Sequence, residues 1–519
     1  MASKIPPIPE TSKQIWSGRN GLVARRIGQP LRHFMELQAS GGIVLLIATV
    51  VALVWANSPL QDSYSDFWYS HVNISIGSIE IFSHDLVHFV NDALMTLFFF
   101  VVGMEIKREL VAGDLKDPKN AALPAMAAVG GMAIPALIYV FFNIGGDGQL
   151  SGWGIPMATD IAFALGVVSL LGNRVPRSLK VFLLSVVIAD DIGSILVIAI
   201  FYTSDLSFEW LLYAIGLLAV VRIMRTVKVW WFPAYLFVGV LVWWAMYKSG
   251  VHATIAGVAL GLLTPAKPLL SMKEARETAR WIENKNKVFV VDLHWANFNI
   301  AESVSVAERL EKKLHPFVTF AILPIFALAN AGVVLSNDSL SNALTSRVAL
   351  GITLGLLVGK TVGITMFTWL SVKLKIAKLP NFVTHYQILA VSMLAGIGFT
   401  VALFITALAF PEDDGQFASR AVELASSDAK IGILVASFVA MLGGLALLSK
   451  TCPRRDYAIS DNISDNNNSD NNNSENTPED IAEDNISENT TPETDNPATD
   501  NPETAGPEDN ITKSAVSPT

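Results

Sequence analysis

The chain has 519 residues, of which 51% are hydrophobic and only 16% are charged, whereas soluble proteins carry roughly 25% charged residues. This composition excludes a broadly disordered chain, and its single cysteine, Cys452, excludes an intrachain disulfide framework and a cysteine-based metal site. The net charge of −9 arises from the C-terminal end, because residues 456–519 hold 16 acids and one base, which leaves 30 acids and 36 bases in residues 1–455.

The apolar residues are grouped in twelve stretches, most of them close to the roughly 20 residues that a helix needs to cross a bilayer. The backbone of a lipid-exposed segment must satisfy its own hydrogen bonds, so we expect these stretches to be helices. The sequence therefore predicts an all-α membrane protein with twelve transmembrane helices within residues 34–450: 36–57, 86–106, 119–143, 155–172, 178–203, 207–223, 230–248, 250–264, 315–334, 345–372, 383–409 and 428–449.

The connecting segments alternate between basic and nearly free of Lys and Arg. Residues 1–33 hold six basic residues, 58–85 hold none, and 265–314 hold nine. Because basic loops stay on the cytoplasmic side, we expect both termini and the long loop 265–314 to be cytoplasmic.

Three further segments are predicted to lie outside the bilayer. Residues 1–33 form a cytoplasmic arm without a compact signal peptide, and the Asn/Ser/Asp/Glu-rich tail 456–519 is predicted to be disordered. Residues 72–81 alternate apolar and polar side chains around Gly77-Ser78, which favours a β-hairpin on the outside. The hairpin could pair with the edge of a second subunit or simply form a capped outside loop.

Asp190 and Asp191 lie in the middle of the fifth apolar stretch, where an ionisable side chain is costly and usually functional. Adjacent helical residues point about 100° apart, so the two carboxylates face different surroundings. Their hard oxygen atoms suit a small alkali cation or a proton, and competition between these two ligands would be the basis of exchange. The alternative is a structural pair neutralised by a buried base.

The fourth and eleventh stretches are both interrupted by glycine or proline. Gly152, Gly154 and Pro156 precede Thr159 and Asp160, and Gly396 and Gly398 interrupt the eleventh stretch. Paired interruptions in two halves are typical of inverted-repeat transporters, with the binding site at the unwound backbone. Asp160 would then offset the partial positive charge of two half-helix N-termini, or it would be an ordinary N-cap at a membrane interface.

Several other ionisable residues lie in or near the apolar stretches. Lys360, in the middle of the tenth, would need an acidic partner such as Asp190, would offset half-helix C-termini, or would extend to the interface. Glu36, Asp92, Glu105 and Glu109 could be interfacial charges. His252 and His315 could sense pH, since histidine titrates near neutrality, or be interfacial or internally bonded histidines.

These residues occur in motifs that resemble the NhaA-type sodium/proton antiporters of bacterial inner membranes. The resemblance runs in order from about residue 30 to 450. The motifs are Asn91-Asp-Ala-Leu-Met95, Gly103-Met-Glu-Ile-Lys-Arg-Glu-Leu110, Ala158-Thr-Asp-Ile-Ala-Phe-Ala-Leu-Gly166, Asp190-Asp-Ile-Gly193, Ser249-Gly-Val-His-Ala-Thr254, Phe326-Ala-Leu-Ala-Asn-Ala-Gly-Val333, Gly359-Lys360 and Gly396-Ile-Gly-Phe-Thr400.

The resemblance implies a fold of inverted repeats with two discontinuous crossing helices, spans 4 and 11. It implies that Asp190 and Asp191 form the cation and proton site, with Asp191 the more direct Na⁺ ligand, and that Thr159, Asp160 and Lys360 support it. Glu105, Glu109, Glu311 and His252 would belong to a cytoplasmic pH-sensing region.

The resemblance also implies the activity and its partners. The family exchanges internal Na⁺ or Li⁺ for more external protons, is activated at alkaline pH, needs no cofactor and dimerises through an outside β-hairpin. This chain departs from the family pattern in an added stretch around Met272–Ile300 and in the acidic tail. It also departs within Glu308-Arg-Leu-Glu-Lys-Lys-Leu-His315, where a Glu and a Lys stand in place of a Lys and a His.

Two other classes fit the residues less well. An intramembrane aspartic protease needs two carboxylates that face each other from separate elements, which adjacent residues on one helix cannot do. A channel favours a continuous pore over a buried Asp–Lys set in interrupted helices. A nucleotide-driven pump is disfavoured because the sequence has no Gly-x-x-x-x-Gly-Lys-Ser/Thr loop.

Overall fold

The fold is taken from a computed structural model of the chain. It describes residues 40–452 apart from 77–78, 146–147, 204–205, 228, 230–231, 286, 337–340, 344 and 412–419. The predicted N-terminal arm 1–33, Glu36 and the predicted tail 456–519 lie outside the described residues.

Helices dominate the first half of the described chain, which also contains the small sheet. In chain order the elements are α1 (Ser40–Ala56), α2 (Gln61–Trp68), β1 (His71–Ile76), β2 (Ile79–Asp85), α3 (Leu86–Ala112), α4 (Pro118–Asn143), a 3-10 helix (Leu150–Met157), α5 (Ile161–Leu170), α6 (Arg177–Phe201), α7 (Phe208–Thr226), α8 (Phe232–Lys248) and α9 (Thr254–Leu263).

The second half is also built from helices. These are α10 (Met272–Glu283), α11 (Val290–Glu302), α12 (Val306–Asn330), α13 (Arg347–Lys373), α14 (His385–Leu394), α15 (Phe399–Ala409) and α16 (Arg420–Thr451). Within them, α3, α12 and α13 each contain one π-helical turn, at Val90–Leu94, Val318–Ile322 and Gly355–Gly359.

A helix therefore lies in each of the twelve predicted stretches. In the described part of the chain, seven segments are long and apolar enough to cross a membrane, and up to nine if each of two bent pairs counts as one span. The chain is thus a largely helical membrane protein, and the number of twelve crossings stays a prediction.

The loop predicted at 265–314 is mostly helical. It contains α10, α11 and the first turns of α12, so the helix that holds the ninth apolar stretch begins at Val306, before residue 315. The Ser305 hydroxyl caps α12 by accepting a hydrogen bond from the Glu308 amide at 3.2 Å.

The predicted hairpin is present as an antiparallel pair of strands. Val72 pairs with His84 and Ile76 with Ile79, with an irregularity between Ile74 and Ser75. The two turn residues, 77 and 78, fall outside the described part. Dimerisation through this hairpin stays a prediction.

Small residues allow close packing of α4 against α13, which carries Lys360. A methyl group built on Gly359 would lie 2.8 Å from the Pro135 Cα atom, and methyl groups on Gly130 and Gly363 would collide with each other's helix backbone. The two helices therefore approach nearly backbone to backbone, which places Lys360 deep in the protein, where its side chain is fully buried.

Candidate functional site

Two interrupted helices contact each other at their breaks. Residues 158–160 are extended between the 3-10 helix and α5, and residues 395–398 separate α14 from α15, whose axes are bent by 50°. The Asp160 amide donates to the Ile397 carbonyl at 2.7 Å, and the Thr159 hydroxyl lies 2.9 Å from the Ala395 carbonyl. Unpaired backbone groups of one break are thus satisfied by the other.

Asp160 connects the two breaks through its carboxylate. One oxygen, Oδ1, accepts from the Phe163 amide at 2.9 Å and caps α5. The other, Oδ2, accepts from the amide of Thr400 at 3.1 Å and from its hydroxyl at 2.6 Å. The buried negative charge lies at the first turns of α5 and α15, where helix dipoles stabilise an anion.

Asp190 is held by a buried base. Its Oδ2 atom accepts hydrogen bonds from the Lys360 ammonium and from the Thr159 hydroxyl, the latter at 2.8 Å. The Lys360 ammonium also donates to the Thr159 hydroxyl at 2.8 Å. Of the partners considered for Lys360 in the sequence, the structure therefore favours Asp190, with Thr159 joining α13 and α6 to the first break.

Three buried oxygen atoms near this pair have no hydrogen-bond partner among the described residues: Asp190 Oδ1, Asp191 Oδ1 and Ser194 Oγ. Buried polar atoms are normally hydrogen-bonded, so each such exception calls for an explanation. Carboxylate and hydroxyl oxygens are the ligands that hard cations prefer, and carboxylates also accept protons. The arrangement can therefore bind a small cation or a proton.

A second cluster lies at the C-terminal end of α3. Arg108 donates to Glu311 of α12 at 2.7 Å and lies 3.8 Å from Glu109. An open groove of about 290 Å³ borders this pair and is lined by Arg108, Glu308, Glu311, Lys312, His315 and Pro316. Glu105, one helical turn before Glu109, belongs to the same charged environment.

His252 does not join these glutamates. Its Nε2 atom lies 2.6 Å from the Tyr202 carbonyl at the end of α6, and the loop before it bonds to the start of α7, with Ser207 N donating to Ser249 O at 2.9 Å. By the predicted topology this end of the helices faces outward. The expected grouping of His252 with Glu105, Glu109 and Glu311 is therefore not observed.

Asp92 and its neighbours occupy the beginning of α3. The Asp92 carbonyl accepts from the Trp243 indole at 3.1 Å. Asp85 caps the helix and binds the His88 amide and ring at 2.8 and 2.7 Å. Burial opposes ionisation of Asp85, but these hydrogen bonds outweigh it and hold its pKa below the ordinary value.

Sequence reasoning did not assign three of the residues in these clusters. Thr400, Ser194 and Arg108 contribute a hydroxyl, a second hydroxyl and the base of the Glu311 pair. Each lies within one of the motifs named above or within one helical turn of such a motif, so helical spacing is the sequence feature that could identify these residues. The two hydroxyl groups do not stand out otherwise, because a neutral hydroxyl in an apolar helix costs little to insert into the membrane.

Comparisons with known proteins agree with the motifs. A profile of the family described as Na⁺/H⁺ antiporter 1 matches residues 32–448. A protein of Rhodopirellula baltica named Na⁺/H⁺ antiporter NhaA is 45% identical over 434 residues, 82% of this chain and 95% of its own length. The proteins of the same name from Oleidesulfovibrio alaskensis and Yersinia enterocolitica are 46% and 45% identical and are covered over 93% and 98% of their lengths. The chain therefore belongs to the Na⁺/H⁺ antiporter 1 family.

Proposed function

We propose that this protein exchanges cytoplasmic Na⁺ or Li⁺ for external protons across the bacterial inner membrane. The observation that carries the proposal is the buried pair Asp190 and Asp191, each with one carboxylate oxygen that has no partner among the described residues. Asp190 bonds to Thr159 in one of two helix breaks that contact each other. Family membership supports Na⁺ and H⁺ as the transported ions. The ions are substrates, and we expect no resident cofactor.

In this proposal Asp191 is the principal ligand of Na⁺, and the Oδ1 atom of Asp190 and the Ser194 hydroxyl lie near enough in sequence to assist. Lys360 and Thr159 occupy only the Oδ2 atom of Asp190, so the remaining carboxylate oxygens are available to an ion. A proton on either acid removes the negative charge that holds Na⁺. The two ions therefore compete for one site, which is the condition for exchange.

Exchange also requires that the site opens to one side of the membrane at a time. The interrupted helices meet at the site through backbone contacts such as Asp160 N to Ile397 O and Thr400 N to Asp160 Oδ2. In the proposal the two repeats move against each other around these contacts, by alternating access. If each cycle releases more protons into the cytoplasm than it takes up Na⁺ ions there, the exchange moves net charge across the membrane and is electrogenic.

We further propose that the cluster around Arg108 regulates exchange with pH. Protonation of Glu311 would remove the ion pair that joins α12 to α3 through Arg108, and α3 packs against α6 through Val102, Ile106 and Ile188. A change in this ion pair can therefore alter the packing of α6, the helix that carries Asp190 and Asp191. His252, which lies elsewhere, has no part in this proposed cluster.

The test uses everted membrane vesicles from a bacterium that lacks its own antiporters and expresses the full chain. Respiration acidifies the vesicle interior, and added Na⁺ should dissipate the gradient through the protein. We expect Asp191→Asn to lose this response entirely, because an amide can neither carry the negative charge nor release the proton. The matched control is Asp62→Asn, an exposed acid in α2, which should retain full exchange.

Two outcomes would contradict the proposal in different ways. Exchange at the native rate in Asp191→Asn would reject the site while leaving antiport standing. Absence of any Na⁺ or Li⁺ response in the unmodified chain, at neutral and alkaline pH and with verified membrane insertion, would reject antiport itself.

A further inference from the structure

The segment between α9 and α12 folds as a helical hairpin with its own stabilising contacts. The Ser271 hydroxyl and the Glu274 side chain form a capping box at the start of α10. Lys285 binds Asp292 at 2.7 Å and covers the Trp281 ring at 4.2 Å. The rings of Trp281 and Trp295 meet edge to face at 5.1 Å. The hairpin of α10 and α11 is therefore an ordered structural element rather than an irregular loop.

The tip of this hairpin is apolar and exposed. Val288, Phe289, Val290 and Val291 are consecutive, and the last three are 65%, 69% and 77% exposed. A run of four exposed apolar residues is unfavourable in water, and in a natural protein it marks a contact surface.

The apolar surface continues along one face of α11. Val291, Trp295 and Phe298 follow a spacing of four and three residues, which places them on one side of the helix, and all three are exposed. Leu293 and Ile300, on the opposite side of α11, are exposed as well, and tryptophan is enriched where proteins meet the membrane interface.

Both ends of the hairpin are fixed next to a membrane segment. The amides of Leu269 and Leu270 donate to the Glu302 carbonyl at 3.1 Å, and the Ala307 amide donates to the Pro265 carbonyl at 3.0 Å. Arg309, on the first turn of α12, binds the Glu302 carboxylate at 2.9 Å. An α-helix rises 1.5 Å per residue, so α11 extends only about 20 Å. The apolar surface therefore lies within about 20 Å of the start of α12.

The charge of the hairpin helps to identify what covers it. Residues 265–305 hold six bases and five acids, so no strong field attracts an acidic partner. The chain's own tail, 456–519, is strongly acidic and contains no Leu, Phe, Trp or Met, which makes it a poor match for an apolar surface. A lipid surface matches both the aromatic composition and the position.

We propose that the α10–α11 hairpin docks on the lipid surface of the membrane that α12 enters, with its tip and the Val291–Trp295–Phe298 face inserted at the boundary between headgroups and acyl chains. The insertion depends on apolar contact rather than on anionic headgroups. This inference goes beyond ion exchange and does not depend on it.

The test places spin labels on the full chain reconstituted in vesicles of a neutral phosphatidylcholine. Cysteines are introduced at Val291→Cys or Phe298→Cys in a Cys452→Ser background, since Cys452 is the one native thiol. The matched control is Glu277→Cys, an exposed position of α10. We expect the labels at 291 and 298 to collide with oxygen but not with a water-soluble nickel chelate, at depths of about 5–10 Å. The control label should show the opposite accessibility.

A second variant tests the cause of the insertion. Phe289→Asp combined with Val290→Asp adds two charges to the tip without altering the rest of the Val291–Trp295–Phe298 face. It should return the label at 298 to water, with nickel accessibility close to that of the control label. Equal nickel accessibility at 291 and 277 in the unmodified tip would overturn the proposal, because the surface would face water. Protection of 291 from both reagents would also overturn it, since protein rather than lipid would then cover the hairpin.

Discussion

The Lys360–Asp190 pair is enclosed by protein, with the Lys360 side chain 0% and the Asp190 side chain 3% exposed. Transferring two charges into such a site is expensive, and their attraction offsets the expense only when both are present. The Thr159 hydroxyl accepts from Lys360 and lies within bonding distance of Asp190, so the three side chains form one network. We therefore expect the network to respond to substitution as a unit.

A double-substitution cycle tests this unit. Lys360→Met leaves a buried, uncompensated carboxylate and should reduce stability by about 3–5 kcal/mol, measured as earlier thermal unfolding in detergent. Lys360→Met combined with Asp190→Asn removes both charges and should recover most of the loss. If the double variant unfolds at least as early as Lys360→Met alone, the pairing does not determine the stability of the site.

At the scale of single residues, most of the candidate site is predictable from the sequence, because an ionisable side chain inside an apolar stretch is easily recognised. The insertion cost singles out Asp160, Asp190, Asp191 and Lys360 directly from the sequence. The choice of partner for Lys360 was not predictable, because it depends on how closely α13 approaches α6. The placement of His252 likewise depends on the fold, since its motif does not reveal that the ring meets the Tyr202 carbonyl.

At the scale of elements, glycine sets the distance between helices. Gly363 faces the Gly130 carbonyl so closely that an added methyl group cannot fit. In lipid, where no hydrophobic force draws helices together, such small residues give helices their contact area. The position of Lys360 therefore depends on residues that carry no charge.

Gly363→Ala should separate α13 from α4 and lower both thermal stability and Na⁺ exchange, because the methyl group would meet backbone rather than a movable side chain. Gly216→Ala in α7 is the matched control, since nothing lies within 4 Å of its added methyl group. That control should be neutral or slightly stabilising, as Ala favours a helix by roughly 1 kcal/mol over Gly. Equal behaviour of the two variants in thermal unfolding would refute the packing argument.

The helical hairpin of α10 and α11 shows where element prediction fell short. Counting basic residues predicts that 265–314 lies on the cytoplasmic side, but it treats the segment as a connection. The Ser271-x-x-Glu274 capping signal was present in the sequence. That signal predicts the start of a helix but not the contact of Trp281 with Trp295 that joins α10 and α11 into a hairpin.

For the whole molecule, hydropathy locates the helices well but does not count the crossings. The helical part of the eighth stretch, α9, has ten residues and is about 15 Å long, half the hydrocarbon thickness of a bilayer. It packs against α3, where Gly257 approaches the Thr96 carbonyl, so contacts with protein hold this short helix in place. Protein contacts of this kind are not encoded in apolar length.

The charge of −9 separates into an acidic tail and a mildly basic body. The described site draws all its groups from residues 159–400, so we expect a chain truncated after Arg455 to exchange Na⁺ at the native rate per inserted molecule. The measurement is the vesicle assay normalised to protein in the membrane. A lower normalised rate would show that the tail takes part in transport.

The π-helical turn at Gly355–Gly359 comes directly before Lys360. A π turn closes its hydrogen bonds over five residues instead of four, so it shifts the phase of everything after it. If the same residues made ordinary α-helical bonds instead, Lys360 would be rotated by about 100° relative to the first half of α13. The ammonium would then turn away from Asp190 although every charged residue remained. A related chain with one residue fewer in this turn would need no π turn, because an ordinary α-helix would then present its lysine on the same side.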